Sequence, residues 1–185
     1  MEITVIDRLY NDNRELLDYL KKNGEISFQS NVDDNFRKTL LLSAASYFEA
    51  VLKESLRNFF QEKTNYTELV LRFIENKAIE RQYHTYFSWK ANNANSFFGL
   101  FGDEFKDFMQ KEVRADKQLE NAIQAFLKLG NFRNELVHQN FAIFPLENTA
   151  EEIYELYKQA LFFVKVFPNK LQEYSEKKSA IEGTC

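Results

Sequence analysis

Apolar and polar positions alternate along this chain mostly at helical spacing. Val5, Leu9, Leu16, Leu17 and Leu20 recur among charged residues, predicting an amphipathic helix over 5–22. Asn23-Gly24 ends it, with Gly24 suited to a left-handed C-terminal position. Ile26, Phe28 and Val32 follow in a pattern that predicts a short extended segment over 25–32. The strongest helix starts at Asp33 or Asp34, either of which can cap it, and runs to about Glu62. Leu41, Ala45, Phe48, Leu52, Leu56 and Phe59 form its buried stripe, widened by Leu40, Ala44 and Val51. At roughly 1.5 Å per residue it is about 40 Å long, enough for the spine of a domain.

Asn65 or Thr67 starts a second helix, with Leu69, Val70, Phe73, Ile74 and Ile79 apolar. Over 81–102 the period is lost. Arg81, Tyr83, His84, Tyr86, Phe87 and Trp89 crowd together, three asparagines follow, and Phe97-Phe98-Gly99-Leu100-Phe101-Gly102 closes the stretch. Short helical pieces and a loop packed over the core are predicted there. Helix resumes over 103–114 with Phe105, Phe108 and Met109 on one side. Asp116 caps the next helix, whose apolar face is Leu119, Ile123, Phe126, Leu127 and Leu129. Gly130 ends that helix and Asn131 caps a new one. Thr149-Ala150-Glu151-Glu152 has capping-box spacing and opens a last long helix from Ile153 to Phe167, which Pro168 ends or kinks. The polar stretch 175–185 reads as a frayed tail. No repeat or linker divides the chain, so a single all-α domain over 1–185 is predicted.

Composition agrees. Five Gly and two Pro leave few breaks, and 19 Phe with nine Tyr predict a core of large rings. The single cysteine, Cys185, allows no intrachain disulfide and no cysteine metal cluster, which fits a reducing cytoplasm. Neither a signal peptide nor a membrane span is legible. The net charge of −4 argues against coating nucleic acid through bulk charge, but leaves room for a small cationic site.

Such a site is offered by the stretch from Asn131 to Asn140, where Arg133, Asn134 and His138 stand together. On a helix Asn134 and His138 share a face. Arg133 lies five residues from His138, about 140° around the axis. One helix therefore places the two poorly for gripping the same atom. A position in the first, forming turn would relax this, as would a site shared between two copies. A neutral imidazole can take the proton of a ribose 2′-hydroxyl, and an imidazolium can protonate a leaving 5′-oxygen. A guanidinium can hold the phosphate and neutralise its growing charge. A first helical turn adds amide donors for an anion. This chemistry requires no metal and no cofactor. On the plainer reading His138 caps or packs in the core and Arg133 pairs with a carboxylate.

Arg133-Asn134-Glu135-Leu136-Val137-His138 resembles the R-[polar]-x3-H signature of the HEPN superfamily, and the helix Leu41 to Glu49 resembles its first core helix with an acidic residue. Within that superfamily the chain is most similar to bacterial RiboL-PSP and defence-associated HEPN proteins. The likeness covers about 35–170, leaving 1–32 as an N-terminal extension with an extra helix and 81–102 as an irregular aromatic insertion. It implies an up-and-down helical bundle that forms a homodimer, two R-x4-H motifs meeting in a composite site. It also implies a metal-independent endoribonuclease acting on tRNA or another structured RNA, as a toxin or antiviral effector with an antitoxin or associated defence protein. Arg133 and His138 carry over as catalytic and Asn134 as the polar residue after the arginine. Glu49 supports the site or is simply solvated. The alternatives are a HEPN module that binds RNA, a nucleotide or a protein without catalysis, and a structural helical adaptor.

His84, with Arg81, Tyr83 and Tyr86, stacks on RNA or packs the irregular segment. Two histidines this far apart, without cysteines, do not suggest zinc. Arg72, Lys77, Arg81 and Lys90 track a phosphate backbone or form an ordinary solvated face. A phosphate loop, G-x-S-x-G and H-E-x-x-H are all absent.

Overall fold

The first helix, α1 (Val5–Lys22), begins at a capping box in which Thr4 and Asp7 satisfy each other's backbone amides. It stops at Asn23, followed by Gly24 at φ +74. The computed structural model describes residues 3–65 and 67–182, and no strand occurs among them. The all-α class follows directly.

No extended segment follows Gly24. Helix α2 begins at once and runs Ile26–Lys63, without a side-chain cap. The alternation of Ile26 and Phe28 does not report a buried strand face, because the two side chains are 62% and 63% exposed. Asp33 and Asp34 are not caps either. They lie inside α2 and form ion pairs with Arg37 and Lys38 one turn on. The Lys38 side chain is only 2% exposed, and its ammonium is held by Asp34 at 2.8 Å. Arg37 also donates to the Leu146 carbonyl at 2.8 Å, tying a distant loop to α2.

Thr67 precedes α3 (Glu68–Ile74), as predicted, but Leu69, Val70 and Phe73 are exposed and α3 buries no residue. A single π-helical turn, Glu75–Ile79, follows, and only its Ile79 reaches the core. The aromatic region consists of α4 (Tyr83–Tyr86), α5 (Asn95–Phe98) and a 3₁₀ turn (Gly99–Phe101), the short pieces expected from its sequence. Helix α6 (Asp103–Ala115) leads to α7 (Lys117–His138), capped by Asp116 through the amides of Gln118 and Leu119.

Helix α7 does not break at Gly130. It continues through Asn131, whose side chain donates to Glu135 instead of capping a new helix. The last helix, α8 (Ala150–Glu182), opens on the Thr149–Glu152 capping box and passes Pro168 without ending. Buried Phe163, Val164, Phe167 and Leu171 hold it on both sides of the proline. Beyond Ser175, where the sequence reads as frayed, it stays helical to Glu182. Glu104 of α6 accepts from Tyr174 and Lys178 there. The same expectation for 183–185, and Cys185 with it, lies outside the described residues.

Helix α7 packs along α8, both pack on α2, and α1 lies against α2. The core between them is a run of rings. Phe48 of α2 meets Tyr157 of α8 at 5.3 Å and Phe126 of α7 at 5.7 Å, and Phe126 meets Phe163 at 5.2 Å. Burial of such rings is worth about 1.5–3 kcal/mol each, which fixes α7 rigidly against α2.

Candidate active site

Past Phe126, α7 carries buried Gly130, half-buried Arg133 and Asn134, and exposed Val137 and His138, in steps of three and four that turn toward one side of the helix. This face borders a cavity of about 430 Å³. Ala45, Phe48 and Glu49 of α2 form a second wall. Arg81, Tyr83, His84 and Trp89 of the aromatic segment form the third. A more open hollow lies alongside, lined by Lys90 and Asn131 and sharing Trp89, Asn134 and His138 with the first.

Gly130 is needed for this arrangement. A Cβ at that position would lie 2.0 Å from the Trp89 ring. The glycine that reads as a helix stop is therefore a seat for the indole. Trp89 is further held by a hydrogen bond from Nε1 to the His84 carbonyl, 3.0 Å, and by contacts with the rings of Tyr83, Phe87 and Phe126.

Arg133 stands in the fifth turn of α7, not in a first, forming turn. The amides at the start of α7 are about 24 Å away at 1.5 Å per residue, so they supply no donors for an anion here. The 140° arc between Arg133 and His138 remains, and the cavity spans it. Both side chains border the same space within one chain, as does Asn134. Arg133 donates to Asn134 Oδ1 at 3.1 Å, and among the described residues it has no carboxylate partner. The His138 side chain is exposed and makes no hydrogen bond among them. His138 is the last residue of α7, but its side chain is outside the core and makes no capping hydrogen bond, and Arg133 is in no ion pair among the described residues. Glu49 is partly buried, lines the cavity and forms no ion pair among the described residues.

Tyr83 lies in the field of both charges. Burial, and then the Glu49 carboxylate, push its phenol well above the ordinary tyrosine range, against an opposing pull from Arg133. The phenol keeps its proton at neutral pH and can donate a hydrogen bond. Tyr86, raised to about 12 by burial and then by Glu80 and Glu49, spends its hydroxyl on the Ala78 carbonyl. The aromatic segment thus packs, as expected, and also presents Arg81 and His84 to the cavity. Arg72 is paired with Glu68 and Glu75, so it does not join them in a row of free cations. Among the described residues no group of three or more His, Cys, Asp or Glu is placed to hold a metal ion. No helix among them is long and apolar enough to cross a membrane.

A model of the family described as RiboL-PSP-HEPN matches residues 7–173, from α1 through most of α8. The chain belongs to that family. No curated protein and no solved structure matches it. Membership in the RiboL-PSP-HEPN family links the chain in general terms to ribonucleases and RNA-related functions, and HEPN domains often bind RNA and dimerise.

Sequence spacing singled out Arg133, Asn134 and His138, and the family resemblance added Glu49; all four border one cavity. It did not assign Arg81, Tyr83 or Trp89 to that cavity. The available signal was indirect: one glycine within a helical pattern and one tryptophan in the chain, which meet each other in the fold.

Proposed function

We propose that this HEPN domain is a metal-independent endoribonuclease. The observation that carries the reading is the single cavity bordered by Arg133, Asn134, His138 and Glu49, open to solvent, with its guanidinium unpaired by any described carboxylate. A guanidinium left free in a concave site suits a phosphate. Arg133 holds the scissile phosphate and neutralises charge on its oxygens in the transition state. His138 transfers a proton to or from the reacting oxygens, and Asn134, bonded to Arg133, orients the guanidinium. The ribose 2′-oxygen attacks phosphorus, the bond to the 5′-oxygen breaks, and a 2′,3′-cyclic phosphate is left. The substrate is tRNA or another structured RNA, and the biological role is that of a toxin or antiviral effector held in check by an antitoxin or defence partner.

Two copies pair so that RNA lies along both R-x4-H faces. Exposed Val137 near the end of α7 and exposed Phe141 and Ile143 in the loop that follows supply apolar surface for that seam. The test is incubation of purified protein with total tRNA in EDTA, beside His138→Ala and Arg133→Ala. Cleavage should fall about 10²–10⁴-fold in the histidine variant and about 10²–10³-fold in the arginine variant. Toxicity on expression should disappear with either. A wild type that binds RNA but cuts none supports the non-catalytic HEPN module instead.

A further inference from the structure

The open hollow beside the cavity has walls of its own. It shares Trp89, Asn134 and His138 with the cavity, while Lys90, Asn131 and Glu135 line the hollow alone. Asn131, Glu135 and His138 follow one another in steps of four and three, on one face of α7. A nucleotide with its phosphate at His138 therefore has the hollow immediately beside it.

Glu135 is poorly placed for the fold. It stands exposed in the last turn of α7, where the helix dipole disfavours an anion. It forms no ion pair among the described residues. Its hydrogen-bond partner there is the neutral Asn131 amide, which donates to Oε1 at 2.8 Å. Asn131 thus holds the carboxylate in place without neutralising it. Lys90, from the wall built by the aromatic segment, is likewise in no ion pair among the described residues. A carboxylate and an ammonium that line one hollow without pairing are both free for a ligand that enters it.

A free carboxylate repels a phosphate but accepts N–H donors from a base edge. RNA bases outside a duplex expose their Watson–Crick edges. Of the four bases only guanine presents two adjacent N–H donors there, N1–H and the N2 amino group, with the O6 acceptor beside them. One carboxylate can accept from both donors, since each of its oxygens has two lone pairs, and an ammonium can donate to O6. We propose that the hollow is a guanine subsite: Glu135 accepts from N1–H and the N2 amino group of a guanine adjoining the scissile phosphate, and Lys90 donates to O6. This rests on the endoribonuclease reading of the neighbouring cavity. It is compatible with catalysis in a site shared by two R-x4-H motifs, because each copy adds the subsite beside that site and not within it. Val137, at the apolar seam, stands about 160° around the helix from Glu135 at about 100° per residue, so the seam faces away from the subsite.

The test is cleavage of oligoribonucleotides that differ only at the two nucleosides flanking a mapped wild-type cut. Guanosine at one of these positions should be cut about tenfold to a hundredfold faster than adenosine, cytidine or uridine. Inosine keeps N1–H and O6 but lacks the N2 amino group, and should be cut about tenfold more slowly than guanosine. Glu135→Ala should cut guanosine and inosine substrates at one rate, and Lys90→Met should narrow the preference for guanosine over adenosine. Glu135→Ala should not lower the urea midpoint, because it removes an anion from a helix C-terminus. Independently of cleavage, guanosine 3′-monophosphate should change the emission of Trp89, which lines the hollow, at lower concentration than inosine 3′-monophosphate.

Equal cleavage at all four bases, a preference for another base, or a guanosine–inosine difference that survives Glu135→Ala would overturn the subsite and leave the endoribonuclease reading standing. A wild type that cuts no RNA but binds the guanosine nucleotide over the inosine one would overturn the endoribonuclease reading and keep the guanine contact. A wild type that does neither would overturn both.

Discussion

At the scale of single residues, Gly130 and Trp89 decide whether the cavity exists. An alanine at 130 has better helix propensity by about 1 kcal/mol. Its Cβ, however, would stand 2.0 and 2.1 Å from two ring atoms of Trp89, and the ring is boxed in by Tyr83, Phe87 and Phe126. Overpacking of this kind costs about 1–3 kcal/mol, so the clash outweighs the gain. Gly130→Ala should lower the urea midpoint and shift the emission of Trp89, the chain's one tryptophan. Gly130→Ala with Trp89→Leu should recover most of the stability while leaving the His84 carbonyl without its donor. If Gly130→Ala alone raises the midpoint with unchanged emission, the indole does not sit where the packing puts it.

At the scale of elements, three of the end signals were legible, while Asp33, Asp34 and Asn131, which read as caps, lie inside helices. Gly24, Asp116 and the Thr149–Glu152 box act locally, so their sequence signals hold in the fold. Gly130 reads as a helix stop because its reason, a ring from 41 positions upstream, has no local trace. The start of α2 was misread because two exposed apolar side chains imitate a strand face, and the tail because Glu104 acts from another helix. The candidate site was legible as far as one helix carries it, through Arg133, Asn134 and His138, while its third wall depends on how 81–89 folds back. The attachment of α1 is another long-range tie. Asp7 accepts from Thr4 and, at 2.8 Å, from Tyr154 of α8, whose ring stacks on Tyr10 at 3.9 Å. Burial works against the Asp7 charge, but the hydrogen bonds from Thr4 and Tyr154 outweigh it and hold the carboxyl below its usual 3.8. Because the folded pKa is the lower one, this stabilisation is complete above about pH 4 and is lost as pH falls through the folded value. Asp7→Asn should cost about 1–2 kcal/mol in urea unfolding at pH 7. The gap between variant and wild type should narrow below pH 4. An equal gap at pH 7 and pH 3 would mean that the charge on Asp7 contributes nothing.

At the scale of the whole molecule, a net charge of −4 repels RNA, so binding depends on where cations without an acidic partner are placed. Several basic side chains of the bundle are committed: Arg57 to three glutamates, Lys170 to Glu112 and Glu173, Arg72 to Glu68 and Glu75. In the cavity Arg81 and Arg133 have no such partner among the described residues. Each phosphate neutralised on a single strand contributes about −0.7 to the slope of log K against log salt. A strand seated in one cavity on two guanidiniums should therefore bind with a slope of about −1.4, and a strand crossing both cavities of a dimer with about −2.8. Titrating labelled RNA into the His138→Asn protein at increasing salt measures this without cleavage. Arg81→Ala and Arg133→Ala should each flatten the slope by about 0.7 per cavity occupied. A slope that neither substitution changes would place the phosphate contacts elsewhere on the surface. Combined with sedimentation, the measured value counts how many cavities one RNA strand engages, and so tells whether the two copies grip one substrate or two.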